Sequence, residues 1–147
     1  MILPGAVAGA QDNPETRAVI AVIDKLFNGM LTRDTAAVRS MFVPEARMLG
    51  LTNQGAVRAS PVDGWIASIG RANPESPLRE RTWGHQVRID GNIAQAWMEY
   101  DFHVGTRFSH CGVDAFDLIK IGSEWKIVSV MDTRRTTGCT EPPADRR

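Results

Sequence analysis

The stretch YDFHVGTRFSHCGVDAF, residues 100–116, gathers tyrosine, aspartate, histidine and cysteine on either side of a Gly105-Thr106 turn. Imidazoles and carboxyls that converge in a cleft can serve as general acid and base, and a tyrosine hydroxyl can donate to a developing oxyanion. A zinc site would need His103, His110 and a carboxylate, but no close spacing such as His-x-x-x-His is present, so no metal is expected. Beyond the stretch, His85 is a candidate base, Asp132 the carboxylate that would orient it, and Arg134 a bidentate partner for an anionic group. Plainer roles stand beside these: a half-buried histidine bonded to backbone, a core tyrosine with its hydroxyl at the rim, and a solvated strand end at residues 132–135.

Which of these side chains meet depends on the elements that carry them. Asn13 can cap a helix with Pro14 in its first position, and Val19, Ile20, Val22, Ile23, Leu26, Phe27 and Met30 recur at helical spacing. Asp34 caps a shorter helix bearing Val38, Met41 and Phe42, which Pro44 stops, and residues 46–52 read as a strand. Ser60-Pro61 with Asp63 opens a third helix bearing Trp65, Ile66 and Ile69. From Leu78 the apolar period changes to two, and Gly91-Asn92, Gly105-Thr106 and Gly122-Ser123 each read as a two-residue hairpin turn. The C-terminal half is therefore a four-stranded antiparallel meander, and helices followed by strands make an α+β fold.

Two-residue turns fix which residues face each other. Uninterrupted ladders align His85, Met98, Val113 and Asp132 in one row and Trp83, Tyr100, Cys111 and Arg134 in the next. This face is the more apolar on the middle strands, so it is expected to point inward. His85, Asp132 and Tyr100 become the catalytic candidates, with Trp83, Met98, Phe102, Val113 and Arg134 lining a substrate pocket. Asp101, His103, His110 and Asp114 are expected to point out, Asp101 opposite His110 with Arg135 in the same row. One β-bulge reverses every later side chain. Residues 113–120 are about equally apolar on both sides, and a bulge there turns Asp114 inward as an alternative acid. Cys111 faces Arg134, and a Gly138 turn could return Cys139 to it; the resulting disulfide would contribute about 3 to 4 kcal/mol. The alternative is two unrelated thiols.

The segment FNGMLTRDTAAVRSMFVPEARM (27–48), the hairpins and EWKIVSVMD (124–132) resemble the nuclear transport factor 2-like superfamily, which includes SnoaL-like and ketosteroid-isomerase-like proteins. YDFH, RFSHCGVDAF and TRRTTGC further resemble a branch of exported, mostly uncharacterised members. The resemblance covers most of residues 14–135. It implies a cystatin-like α+β barrel: a cone-shaped, strongly curved antiparallel sheet packed on the N-terminal helices, with an internal pocket. It also implies a homodimer built on the outer sheet face, here presenting Trp97, Asp101, His103 and His110. Ketosteroid isomerases carry, on the strand of Asp114, a carboxylic acid that donates to the substrate oxygen. No single reaction follows, because members include isomerases, dehydratases, cyclases, epoxide hydrolases and binding modules.

A chain of 147 residues suits one domain, taken here as 13–136 with a tail at 137–147. Seventeen basic side chains balance 17 acidic ones, so no basic stripe argues for nucleic acid. No apolar run reaches the roughly 18 residues that span a bilayer. Residues 1–12 read as a signal-peptide remnant or a disordered N-terminus, and TEPPADRR at the other end as disordered. With two cysteines, a periplasmic or secreted location is expected, and a cytoplasmic one otherwise. Phosphate loops, nucleophile elbows and metal motifs are missing from the sequence, so no cofactor is expected. The expected function is binding of a small apolar molecule in an internal pocket. Two alternatives remain: a cofactor-free acid-base enzyme of isomerase, dehydratase or hydrolase type acting on a small carbonyl or hydroxyl compound, and a dimerisation or interaction domain with a filled pocket.

Overall fold

The computed structural model describes residues 13–52 and 54–146, so the expected signal remnant lies outside the described residues. Helix α1 (Pro14–Thr32) begins as its sequence dictates, with the Glu15 amide donating to Asn13 Oδ1 at 2.9 Å and proline in the first turn. It ends at Arg33, which adopts a left-handed conformation at φ 58°. Asp34 caps α2 (Thr35–Ser40), accepting from the Ala37 amide at 2.9 Å. Phe42 does not continue that helix but opens strand β1 (Phe42–Leu51). Pro44 sits where the ladder of β1 to the last strand is irregular, between Phe42 and Arg47, so its missing N–H breaks no pairing. Strand β2 (Val57–Pro61), not foreseen from sequence, precedes α3 (Val62–Gly70).

The second half forms β3 (Leu78–Asp90), β4 (Ile93–Val104), β5 (Arg107–Ile121) and β6 (Glu124–Asp132), joined by the three glycine turns. Among the described residues the strands make one six-stranded sheet in the order β2-β1-β6-β5-β4-β3. The meander is antiparallel, as expected. The sheet as a whole is mixed, because β1 runs parallel to β6. It curves over the helices, and Val19, Ile23, Leu26 and Met30 of α1 are buried against Ala94, Ala96, Met98, Phe116 and Ile127 of the sheet. Glu15 fastens the start of α1 to the sheet by accepting from Lys120 Nζ at 2.8 Å and Trp125 Nε1 at 3.0 Å. These contacts, the Lys120 hydrogen bond foremost, hold its carboxyl below the usual carboxylate range.

Each ladder of the meander carries a bulge, and the bulges overturn the uninterrupted register. Gly84-His85 stands opposite Met98 alone, Ser109 is the extra residue between β4 and β5, and Val128 the extra residue between β5 and β6. Gly84, at φ 64°, adopts the left-handed geometry that one bulge type requires. Extra residues on curved sheets bend the strand and raise its twist, which is how this sheet wraps the helices.

The tail is tied down rather than loose. Cys139 is disulfide-bonded to Cys111, Pro142 is buried, and a short 3-10 turn, Ala144–Arg146, reaches β3. Cys111 does not lie inside opposite Arg134; it is on the outer face, bridged to Arg135. Nearby, Asp101 is also buried on that face, paired with the Arg81 guanidinium through two hydrogen bonds and with His103 Nδ1 3.6 Å away. The expected Asp101–His110 opposition is replaced by Asp101–Cys111, since the Ser109 bulge shifts the register by one.

Candidate functional site

The bulges decide which side chains share the concave side of the sheet. On β4, Met98, Tyr100 and Phe102 face the helices, as alternation predicts. Their β5 neighbours are Asp114, Gly112 and His110. On β3, Thr82 lies beside Tyr100 and Glu80 beside Phe102. Asp114 in turn faces Asp132 on β6. Of these, Glu80, Tyr100, Phe102, His110, Asp114 and Asp132 line a cavity of about 220 Å³ between the sheet and the helices. Leu26, Phe27 and Met30 of α1, Trp65 of α3, Met48 and Val130 form its apolar walls, and Glu80, Tyr100, His110, Asp114, Asp132 and Arg134 form its polar part.

Tyr100, Phe102, Asp132 and Arg134 therefore reach the cavity as expected, while Asp114 and His110 reach it because the Ser109 bulge turns them inward. His85 does not. It occupies the β3 bulge, its Nε2 3.1 Å from Thr82 Oγ1, and is not among the residues that line the cavity with Asp132. Trp83 points to the outer face, where its indole N–H donates to Glu99 Oε2 at 2.8 Å. Val113 also lies on that side, its amide bonded to Thr133 Oγ1. Met98 is inward but fully buried in the core rather than on the cavity surface. Glu80 went unnoticed in the sequence because the straight ladder placed it outside; the one available signal was Gly84, a glycine inside a strand, which marks a bulge.

The polar groups constrain one another. The Tyr100 hydroxyl donates to the Thr133 carbonyl at 2.8 Å, so its proton is engaged within the protein. Gly112 makes this possible, since a Cβ there would stand 2.0 Å from the Thr133 oxygen. Burial, reinforced by Asp114, Asp132 and Glu80, pushes the Tyr100 pKa up. Arg134 Nε donates to Asp132 Oδ2 at 2.6 Å. Burial is the largest influence and works against the Arg134 charge, but this bond together with the charges of Asp132, Tyr100 and Glu80 outweighs it and holds the guanidinium above its ordinary range. His110, against the rings of Tyr100 and Phe102, is driven toward the neutral form by burial and then by Arg134.

Glu80 and Asp114 form the most unusual contact. Both line the cavity and each acts on the other's protonation, as two neighbouring buried carboxyls must, since both cannot readily ionise together. Burial pushes both upward: Glu80 well above the carboxylate range, with the Asp114 charge adding to it, and Asp114 to about 7. Asp114 is 4% exposed, and its Oδ2 has no hydrogen-bond donor among the described residues. Such a pair can hold one proton near neutrality, release it, or accept hydrogen bonds from a guest. Among the described residues no three histidine, cysteine or acidic side chains come together as a metal site.

The profile of the family described as "Putative lumazine-binding" matches residues 14–131. No curated protein matches the chain. Solved structures resemble it in fold. A protein of unknown function from Shewanella baltica, described as NTF2-like, shares 21% identity at a TM-score of 0.68, covering 84% of this chain and 95% of that one. A protein of unknown function from Mycobacterium tuberculosis shares 16% at a TM-score of 0.71, covering 88% and 80%. One with a cystatin-like fold from Nostoc punctiforme shares 7% at a TM-score of 0.67, covering 85% and 95%. The curved sheet over N-terminal helices and the match across most of the domain place the chain in this lumazine-binding-type family, within the nuclear transport factor 2-like superfamily.

Proposed function

We propose that the protein binds a small, largely apolar, flat molecule in the cavity between sheet and helices. The observation that carries this reading is the division of the cavity: apolar walls from Phe27, Met30, Trp65 and Phe102, and polar groups at Glu80, Asp114, Asp132 and Arg134. That is the composition of a site that gains affinity from burial and orientation from a few polar contacts. Lumazine, the compound in the family description, is a flat fused heterocycle that shares this shape and adds ring N–H and carbonyl groups for the polar side chains to meet. The test is a thermal melt with and without lumazine. Binding to the folded state alone stabilises by about 2.7 kcal/mol at a hundred times Kd; an unmoved melt at saturating solubility counts against the reading.

A second reading, acid-base catalysis, is favoured by Asp114, whose carboxyl is pushed to about 7 beside the cavity. General bases work best near the ambient pH, and Asp114 takes over the base role assigned from sequence to His85. Asp132 is committed to Arg134, and Tyr100 to Thr133. A substrate with an acidic C–H beside a carbonyl, or a hydroxyl to be expelled, would suit this arrangement. Turnover lost in Asp114→Asn and retained in His85→Gln supports it.

The proposal extends to assembly and location. The outer sheet face exposes Trp97 and Met131 and suits a second copy of the chain, with His103 and the Arg81–Asp101 pair nearby; His110 is no longer part of it. The Cys111–Cys139 bond fits an oxidising, extracytoplasmic compartment, and no helix among the described residues is long and apolar enough to cross a membrane.

A further inference from the structure

We infer that the ligand is an aromatic hydrogen-bond donor whose N–H or O–H is received by Asp114. The inference rests on the binding reading above and adds the polarity of the guest. Asp114 is buried at the polar end of the cavity, and its Oδ2 meets no donor among the described residues. A carboxylate can accept about four hydrogen bonds, so an oxygen without any donor leaves that capacity unmet. Buried acceptors without donors cost stability, and Asp114 lines the cavity, where a guest can bring the missing donor.

The surroundings set the sign. Asp132 from β6 adds acceptor oxygens and is already matched to Arg134, and Glu80 from β3 is held toward its protonated form by burial. Tyr100 from β4 gives its proton to Thr133. His110 from β5 is driven toward neutrality, with its Nδ1 2.9 Å from Ser109 Oγ. The helices contribute Phe27, Met30 and Trp65 to the walls and no charge. An acceptor-only guest of the same shape would leave Asp114 unmatched and bring a second unpaired oxygen beside it.

The experiment is a calorimetric titration of the full chain with indole and with benzofuran, bicyclic rings of nearly equal shape that differ in whether the heteroatom carries a hydrogen. At pH 8, indole is expected to bind about tenfold or more tightly than benzofuran, the ratio typical of a hydrogen bond to a charged partner. Below pH 6 the preference should shrink, as Asp114 takes up a proton, and in Asp114→Asn it should fall within about twofold at every pH. Equal affinities for the two rings at pH 8 would overturn the inference while leaving the cavity as a binding site. If neither ring binds, and lumazine does not either, the binding reading itself fails and the inference with it.

Discussion

At the scale of single residues, Gly112 and Asp114 carry the most consequence. Gly112 lets the Thr133 carbonyl close over β5 to receive the Tyr100 hydroxyl. Gly112→Ala sets a methyl against backbone at 2.0 Å, and neither backbone nor Tyr100 can yield cheaply. A loss of about 3 kcal/mol or more is expected in a denaturant melt, whereas Gly64→Ala, with nothing within 4 Å, should be neutral or stabilising by up to about 1 kcal/mol. Asp114 sets a pH dependence of the folded state. Its pKa rises from 3.8 in the ordinary case to about 7 here, so the folded chain binds a proton that the unfolded chain has lost. Stability from this group is full below about 4 and declines as pH climbs to about 7, by roughly 4 kcal/mol for this carboxyl. Asp114→Asn should flatten that decline. Melts of both proteins at pH 4.5 and 8 give the comparison, and parallel curves would deny the burial assigned to Asp114.

At the scale of elements, the three bulges separate what was legible from what was not. The helix starts at Asn13-Pro14 and Asp34, and the three Gly-X turns, follow from local chemistry that tertiary contacts do not override. Face assignment is different, because it accumulates along a strand. Alternation placed Tyr100 and Phe102 correctly, since they lie on β4, where Met98, Tyr100 and Phe102 stand against charged Glu99 and Asp101. It failed for His110, Asp114 and Cys111, since the Ser109 and Val128 bulges carry no glycine or proline to mark them. Strand β2 lacks any apolar alternation, with Val57, Arg58 and Ala59 all exposed, so its antiparallel pairing with β1 left no pattern in the sequence. The tail is held by the Cys111–Cys139 bond across a separation of 28 residues. Its removal in Cys111→Ser/Cys139→Ser should cost about 3 to 4 kcal/mol by loop entropy. A non-reducing peptide map and paired denaturant melts check this, and equal stability of the two forms would mean that the tail is fixed by packing alone.

For the whole molecule, the fold is what pattern and resemblance both indicated, an α+β cone, while the parallel β1–β6 contact could not be read from a meander of hairpins. The outer face leaves Trp97 52% exposed and Met131 48% exposed on neighbouring ladders, a surface that water disfavours. Sedimentation velocity is expected to give a dimer for the native chain and a monomer for Trp97→Asp with an unchanged circular dichroism spectrum; a native monomer at high concentration would remove this assembly from the account.

The central claim is that the cavity under Asp114 is where a small flat guest is held. Ser68 lines that cavity from an exposed position on α3, so Ser68→Trp can fill it without touching the carboxyl pair. Calorimetric titration of lumazine into both proteins is the most direct test. Saturable binding by the native chain and none by Ser68→Trp, with both folded, is the predicted result; equal binding by the two would place the ligand elsewhere and contradict the account.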